Sequence, residues 1–119
     1  MRSTLLPLAT AILLANAASV QAANYAIDPT HTFVTFEISH FDTTTNRGRF
    51  DKKEGSVEFD RSAKSGKVTL TVDTTSINTG TPAFNKHLQS ADLFDAEKHP
   101  TMKFVADQFK FSGDKVAEV

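Results

Sequence analysis

Asp28 and His31 stand three residues apart in the run Asp28-Pro29-Thr30-His31. A carboxylate that orients an imidazole is most of a hydrolytic triad once a serine is supplied from elsewhere. The same run also reads as a turn that His31 braces. His40 falls on the apolar parity of a strand, where it either meets a ligand head or satisfies a buried backbone group. His87 lies beside Leu88 and is either structural or part of an entrance. Arg47 and Arg49 flank Gly48; they form either a site for an anionic head such as a pyrophosphate or the solvated face of a hairpin. Four histidines and many carboxylates are present, but no H-x-x-x-H, no H-x-H and no cysteine give metal-ligand spacing. No G-x-S-x-G elbow is present either. These residues do not assemble a catalytic motif, so neither an enzyme nor a cofactor or metal is expected.

The elements that position them are strands. From Thr32 to His40, Val34, Phe36, Ile38 and His40 share one face while Thr35, Glu37 and Ser39 take the other. The period of two repeats from Glu54 to Asp60, with Gly55, Val57 and Phe59 on the dry side. It repeats again from Lys67 to Asp73, with Val68, Leu70 and Val72. One wet and one dry face mark an antiparallel sheet. Asp60 to Gly66 is a polar hairpin loop, and shorter strands cover Asn24 to Asp28 and Asn46 to Asp51. From Thr81 to His99 the alternation stops. Thr81 can cap a short helix with Pro82 in its first turn, which sets Phe84 and Leu88 four apart on one face. A second turn opens at Asp95 and ends before Pro100, so the segment is a lid or plug. Strand character resumes at Thr101 with Met102, Phe104 and Ala106. A bulge near Asp107 is expected to bring Phe109 and Phe111 back to the same face. A turn at Ser112 to Lys115 leads to a last strand from Val116 to Val119.

Composition fits this reading. The 119 residues are 39% hydrophobic and 23% charged, enough for one cored domain. A net charge of −1 without a basic cluster argues against nucleic acid as a partner. Ten phenylalanines, one tyrosine and no tryptophan give a dry side with almost no polar tips. Residues 1–22 read as a cleavable export signal: Arg2, an apolar stretch from Leu5 to Ala15, then small residues at Val20-Gln21-Ala22. The alternatives are an uncleaved anchor or cleavage after Ala15-Asn16-Ala17. Cleavage near Ala22 leaves residues 23–119 as one periplasmic or secreted domain with no membrane-spanning segment. Lacking cysteine, that domain depends on burial alone. Six or seven strands are visible, against the roughly eight of a small ligand-holding barrel. The chain therefore reads as a barrel incomplete at its C-terminus, with a second copy completing the sheet as the alternative. An open last edge predicts oligomers or poor solubility.

The motifs Tyr25-Ala26-Ile27-Asp28-Pro29-Thr30-His31, Phe33 to His40, Gly48-Arg49-Phe50 and Gly55-Ser56-Val57 resemble those of the YceI-like family. So do Ser76-Ile77-Asn78-Thr79-Gly80, His87 to Asp95 and His99 to Phe104. The resemblance covers the N-terminal two thirds of that family's domain. An Arg-Asp pair common before the His-Leu step is replaced here by Phe84-Asn85. It implies an exported, antiparallel lipocalin-like β-barrel that binds polyisoprenoids, isoprenoid quinones or similar long-chain lipids without catalysis. The ligand-binding residues expected on the dry face and lid are Val34, Phe36, Ile38, His40, Val57, Phe59, Leu70, Val72, Phe84, Leu88, Phe94 and Phe104. The same side chains could instead fill a solid core. Two other functions stay open: an adaptor that offers a strand edge to a protein partner, and a metal-independent hydrolase built on Asp28 and His31.

Overall fold

The computed structural model of the protein describes residues 22–119. The export signal expected over residues 1–22 lies outside them except for Ala22. The chain runs through β1 (Ala23–Ala26), β2 (Val34–His40), β3 (Thr44–Phe50), β4 (Lys53–Asp60), β5 (Ser65–Asp73), β6 (Ile77–Asn78), α1 (Pro82–Leu88), β7 (Thr101–Ala106), β8 (Lys110–Ser112) and β9 (Lys115–Glu118). All pairings are antiparallel, in the orders β1-β4-β5-β7, β2-β3-β6 and β8-β9. This is the wall of a lipocalin-like barrel with a short helical plug, not closed into a ring among the described residues. Two strands exceed the six or seven legible in the sequence. β6 and β8 are two and three residues long, too short for any period to register.

Register turns the sequence alternation into a continuous face. Val57 lies opposite Val68, which lies opposite Ala106; Gly55, Leu70 and Phe104 form the next rung, and Val72 pairs with Met102. In the second sheet Val34 pairs with Phe50 and Phe36 with Gly48. Phe36 lays its ring over Gly48, in space that a Cβ would occupy.

The two larger sheets meet at a corner where neighbouring segments turn together. Asp51 N donates to Ser76 O and Asp73 N to Lys52 O, each at 3.0 Å, so pairing passes from β4–β5 into β3–β6 almost without a break. Lys52 N donates to Ser76 Oγ at 2.9 Å, and Ser76 Oγ donates to Asp73 O at 2.7 Å. Asp73 caps the 3₁₀ turn Thr74–Ser76 by accepting from Thr75 N and Oγ1. Asp51 accepts from Arg49 Nε at 2.7 Å and from Asn78 Nδ2 at 2.8 Å. Strands that switch sheets in this way close the corners of orthogonal β packings.

Helix α1 starts as its sequence suggests, with Thr81 at the N-cap and Pro82 in the first turn, but Thr81 makes no side-chain cap. Asn85 instead ties the preceding loop to the helix: its Oδ1 accepts from Thr79 N at 2.8 Å and Thr79 Oγ1 at 2.7 Å. A second turn follows, with His99 N donating to Asp95 O at 2.8 Å. The bulge expected near Asp107 is instead a break. β7 ends at Ala106, and β8 pairs with β9 rather than extending the ladder to β5.

The corner makes stability depend on acid. Hydrogen bonds from Asn78 and then Arg49 hold the Asp51 carboxyl below its ordinary 3.8, and the Thr75 hydroxyl does the same for Asp73. Carboxyls lowered in the fold stabilise it above their unfolded value, and that contribution is lost as pH falls through the folded value. The thermal midpoint is expected to be flat near neutrality and to drop from about pH 4 downward. In Asp51→Asn that acid limb should be shallower; circular-dichroism melts from roughly pH 6 to 2 read both.

Candidate functional site

The inward face carries two phenylalanine clusters with a less covered stretch between them. At the corner end Phe50, Val72, Ile77 and Leu88 are 4–5% exposed, and Val34, Phe36, Leu70, Phe84, Phe94 and Met102 pack against them. Phe36 and Phe94 each place a ring against Phe50 at 5.7 Å between centroids, and lie 6.5 Å from each other. Such tilted and edge-on pairs add about 0.5–1.5 kcal/mol each beyond their area. At the hairpin end of β4, Phe59 meets Phe109 at 6.2 Å and stacks on Phe111 at 6.0 Å. Phe109 lies over Gly66, directly opposite Phe59 in the ladder. The break after Ala106 thus delivers Phe109 and Phe111 to the interior, the outcome a bulge was expected to give.

Between the clusters runs a lane floored by Val57, Val68 and Leu70, all half-buried, and bordered by Phe104 at 53% exposure. From Phe59 to Lys53 the strand rises about 20 Å. Lys53 marks the corner end, its Nζ 3.3 Å from Asp51 O and 5.8 Å from the centre of the Phe33 ring.

Of the twelve residues expected to bind, seven belong to the corner cluster: Val34, Phe36, Leu70, Val72, Phe84, Leu88 and Phe94. Val57 lies in the lane and Phe59 in the far cluster. Ile38, at 47% exposure, and His40 lie on the distal half of the β2–β3 hairpin, beyond the reach of α1 and β6. Phe104 is bare on one flank because β7 pairs only with β5 among the described residues. Phe50, Ile77 and Met102 complete the packed end and were absent from that expectation. Phe50 shares parity with Gly48, against Arg47 and Arg49, so alternation could have found it. Ile77 sits in a two-residue strand and carries no such signal.

The charged candidates face elsewhere. Arg47 Nε pairs with Glu37 and Arg49 Nε with Asp51, each at 2.7 Å on exposed surface. Both arginines alternate with inward Gly48 and Phe50. His31 Nδ1 lies 2.7 Å from Asp28 Oδ2 and 3.1 Å from Thr30 Oγ1. The Thr30 hydroxyl, then His31, draw the Asp28 carboxyl down to about 2. The group braces an exposed turn, and Asp28 and Thr30, not a serine, occupy that ring nitrogen. Among the described residues no three His, Asp or Glu side chains gather to hold a metal ion. No helix among them is long and apolar enough to cross a membrane. Two open grooves of about 480 and 460 Å³ lie along β4 and β5, sharing Lys53, Glu54 and Thr71. Glu54 and Thr71 belong to the polar face, so both grooves lie on the side of the sheet away from the lane.

Residues 25–119 match the YceI-like domain. The chain is 38% identical over 118 residues to a UPF0312 protein of Photorhabdus laumondii and 36% identical over 119 residues to Protein YceI of Escherichia coli O157:H7. These matches take in 97% and 98% of this chain but 62% of each relative, so the chain spans less than two thirds of their length. Among solved structures it resembles Burkholderia cenocepacia BcnA, with a TM-score of 0.65 at 26% identity, over 73% of this chain and 55% of that one. It also resembles the Campylobacter jejuni YCEI protein, with a TM-score of 0.53 at 31% identity, over 73% of this chain and 52% of that one.

Phe50 touches both sheets and the plug through its neighbours, so Phe50→Ala should lower unfolding free energy by about 3–5 kcal/mol. Phe59→Ala, in the half-buried far cluster, should cost less. Denaturant midpoints of the two variants give the comparison.

Proposed function

Because the chain belongs to the YceI-like domain family, we propose that it holds a long apolar lipid along the lane between its phenylalanine clusters, without catalysing a reaction. The ligand class is a polyisoprenoid, an isoprenoid quinone or a similar long chain. The setting is the periplasm or the exterior, after removal of a leader near Ala22. One observation carries the reading: a continuous apolar face, packed tight at the corner end and only half covered from there to the Phe59 cluster, backed by a polar face. A solid core would be covered throughout. In the lane, Val57, Leu70 and Phe104 offer the tail a floor, and Phe36, Phe84, Leu88 and Phe94 stop one end; Ile38 and His40 lie on the exposed half of the hairpin, away from it. Burying hydrocarbon is worth about 0.8 kcal/mol per CH₂, so a long chain needs no charged anchor there. The arginines, held by Glu37 and Asp51, are not needed for a head group.

An adaptor role is the second reading, favoured by β7 being paired on one side alone among the described residues. A free strand edge is a template for another strand.

Native mass spectra of the protein expressed from its full reading frame are expected to show a co-purified lipid. Val57→Glu, which plants a charge on the lane outside the corner cluster, should abolish it, whereas Thr71→Glu on the polar face should leave it bound. Spectra with a stoichiometric protein partner and no lipid would favour the adaptor. Equal retention in both variants would remove the lane as the site.

A further inference from the structure

The β2–β3 hairpin ends in a turn that breaks two rules at once. Thr43 N donates to His40 O at 3.1 Å, and the two central residues, Phe41 and Asp42, lie at φ 52° and 53°. Both central residues of a type I′ turn need positive φ, which is why Asn-Gly usually fills it. A bulky aromatic is among the least suited residues for that backbone. The side chain gains little from the fold in return. Phe41 is 83% exposed, touching the edge of the exposed His40 ring at 4.4 Å between centroids. Strain and an exposed apolar ring at one position point to a use outside the folded body.

We propose that Phe41 is a membrane-contact tip, which enters the interfacial layer of a lipid bilayer. The hairpin is built to reach. β3 meets β6 only at Arg49 and Phe50, so Thr44 to Gly48 have β2 as their sole strand partner among the described residues. From Ser39 to Thr45 every residue is exposed, and the ribbon projects beyond the packed end. Around the ring the tip is polar: Ser39 to Asn46 reads Ser-His-Phe-Asp-Thr-Thr-Thr-Asn, with Asp42 the one formal charge and its Oδ1 accepting from Ser39 Oγ at 3.3 Å. A single ring offers far less than the roughly 800 Å² that each partner buries in a specific protein interface. A bilayer interface asks for no matching surface, only an apolar body beside groups that stay hydrated. In naming a bilayer as the occupant the inference rests on the lipid-binding reading, since a water-insoluble ligand must be loaded from a membrane.

These 119 residues contain no tryptophan, so Phe41→Trp adds an indole at the tip whose emission is read as the difference from the parent protein. With phosphatidylcholine vesicles its emission should shift to the blue and be quenched by lipids brominated near the headgroup. Unchanged emission in saturating lipid would overturn the inference. So would a blue shift that appears without vesicles and follows protein concentration, because a second copy would then cover the tip. Phe41→Gly relieves the backbone and removes the ring. It should melt no lower than the parent yet float with vesicles roughly tenfold less. A lower melting point with unchanged flotation would assign Phe41 to the fold instead. Co-purified lipid is measured on the same preparations: vesicle binding without bound lipid would sink the lipid-binding reading alone, and bound lipid without vesicle contact would sink the tip alone.

Discussion

The shape of the molecule depends on the shared corner at Asp51–Lys52 and Asp73–Ser76. Two adjacent segments change sheets there while staying hydrogen-bonded to one another. A single strand could bend away at little consequence; two that bend together carry their ladders with them. Asp51 holds the β3–β6 side of the bend by accepting from Arg49 and Asn78, and Asp73 holds the 3₁₀ turn by accepting from Thr75. The dry face of β2–β3 is thereby turned toward that of β4–β5, and Phe50 lands against Val72, Ile77 and Leu88.

Once the corner is set, covering is uneven by construction. Near the bend three elements converge, α1 included, and the side chains close over one another. Farther along β4 and β5 the hairpin of β2–β3 splays outward, and only the short run Phe109 to Phe111 returns to cap Phe59. The half-buried lane is what remains between these two coverings. Its chemistry follows from strand period alone, since every polar neighbour in sequence is on the opposite face.

Much of this was legible in the sequence because period two survives wherever a strand is long. The dry faces of β2, β4 and β5 are the ones that alternation assigned, and Phe84 and Leu88 share the buried side of α1. The misses have physical causes. Ile77 sits in a strand of two residues, too short to show a period. The break after Ala106 and a bulge both restore parity, and a linear pattern does not separate them. Asn85 ties the preceding loop to α1, and this also gives the Phe84-Asn85 departure from the family pattern a local role: one residue packs the core while the other braces the loop. Exposure of Ile38, His40 and Phe104 depends on which strands lie beside them, which no single-strand pattern encodes. The membership of the lane in a binding site is a step beyond the fold, because alternation is the same for a filled interior and for one that keeps room.

The interior is lined by phenylalanine where other folds often use tyrosine or tryptophan, and this bears on how an occupant would be sorted. Rings without hydroxyl or indole nitrogen give no directional bond, so between Lys53 at the corner end and the Phe59 cluster the wall does not distinguish the head of a guest from its tail. Discrimination would then fall to girth and number of carbons. A guest would travel lengthwise like a thread through felt, its residence time growing with every added isoprene or methylene that must slide free.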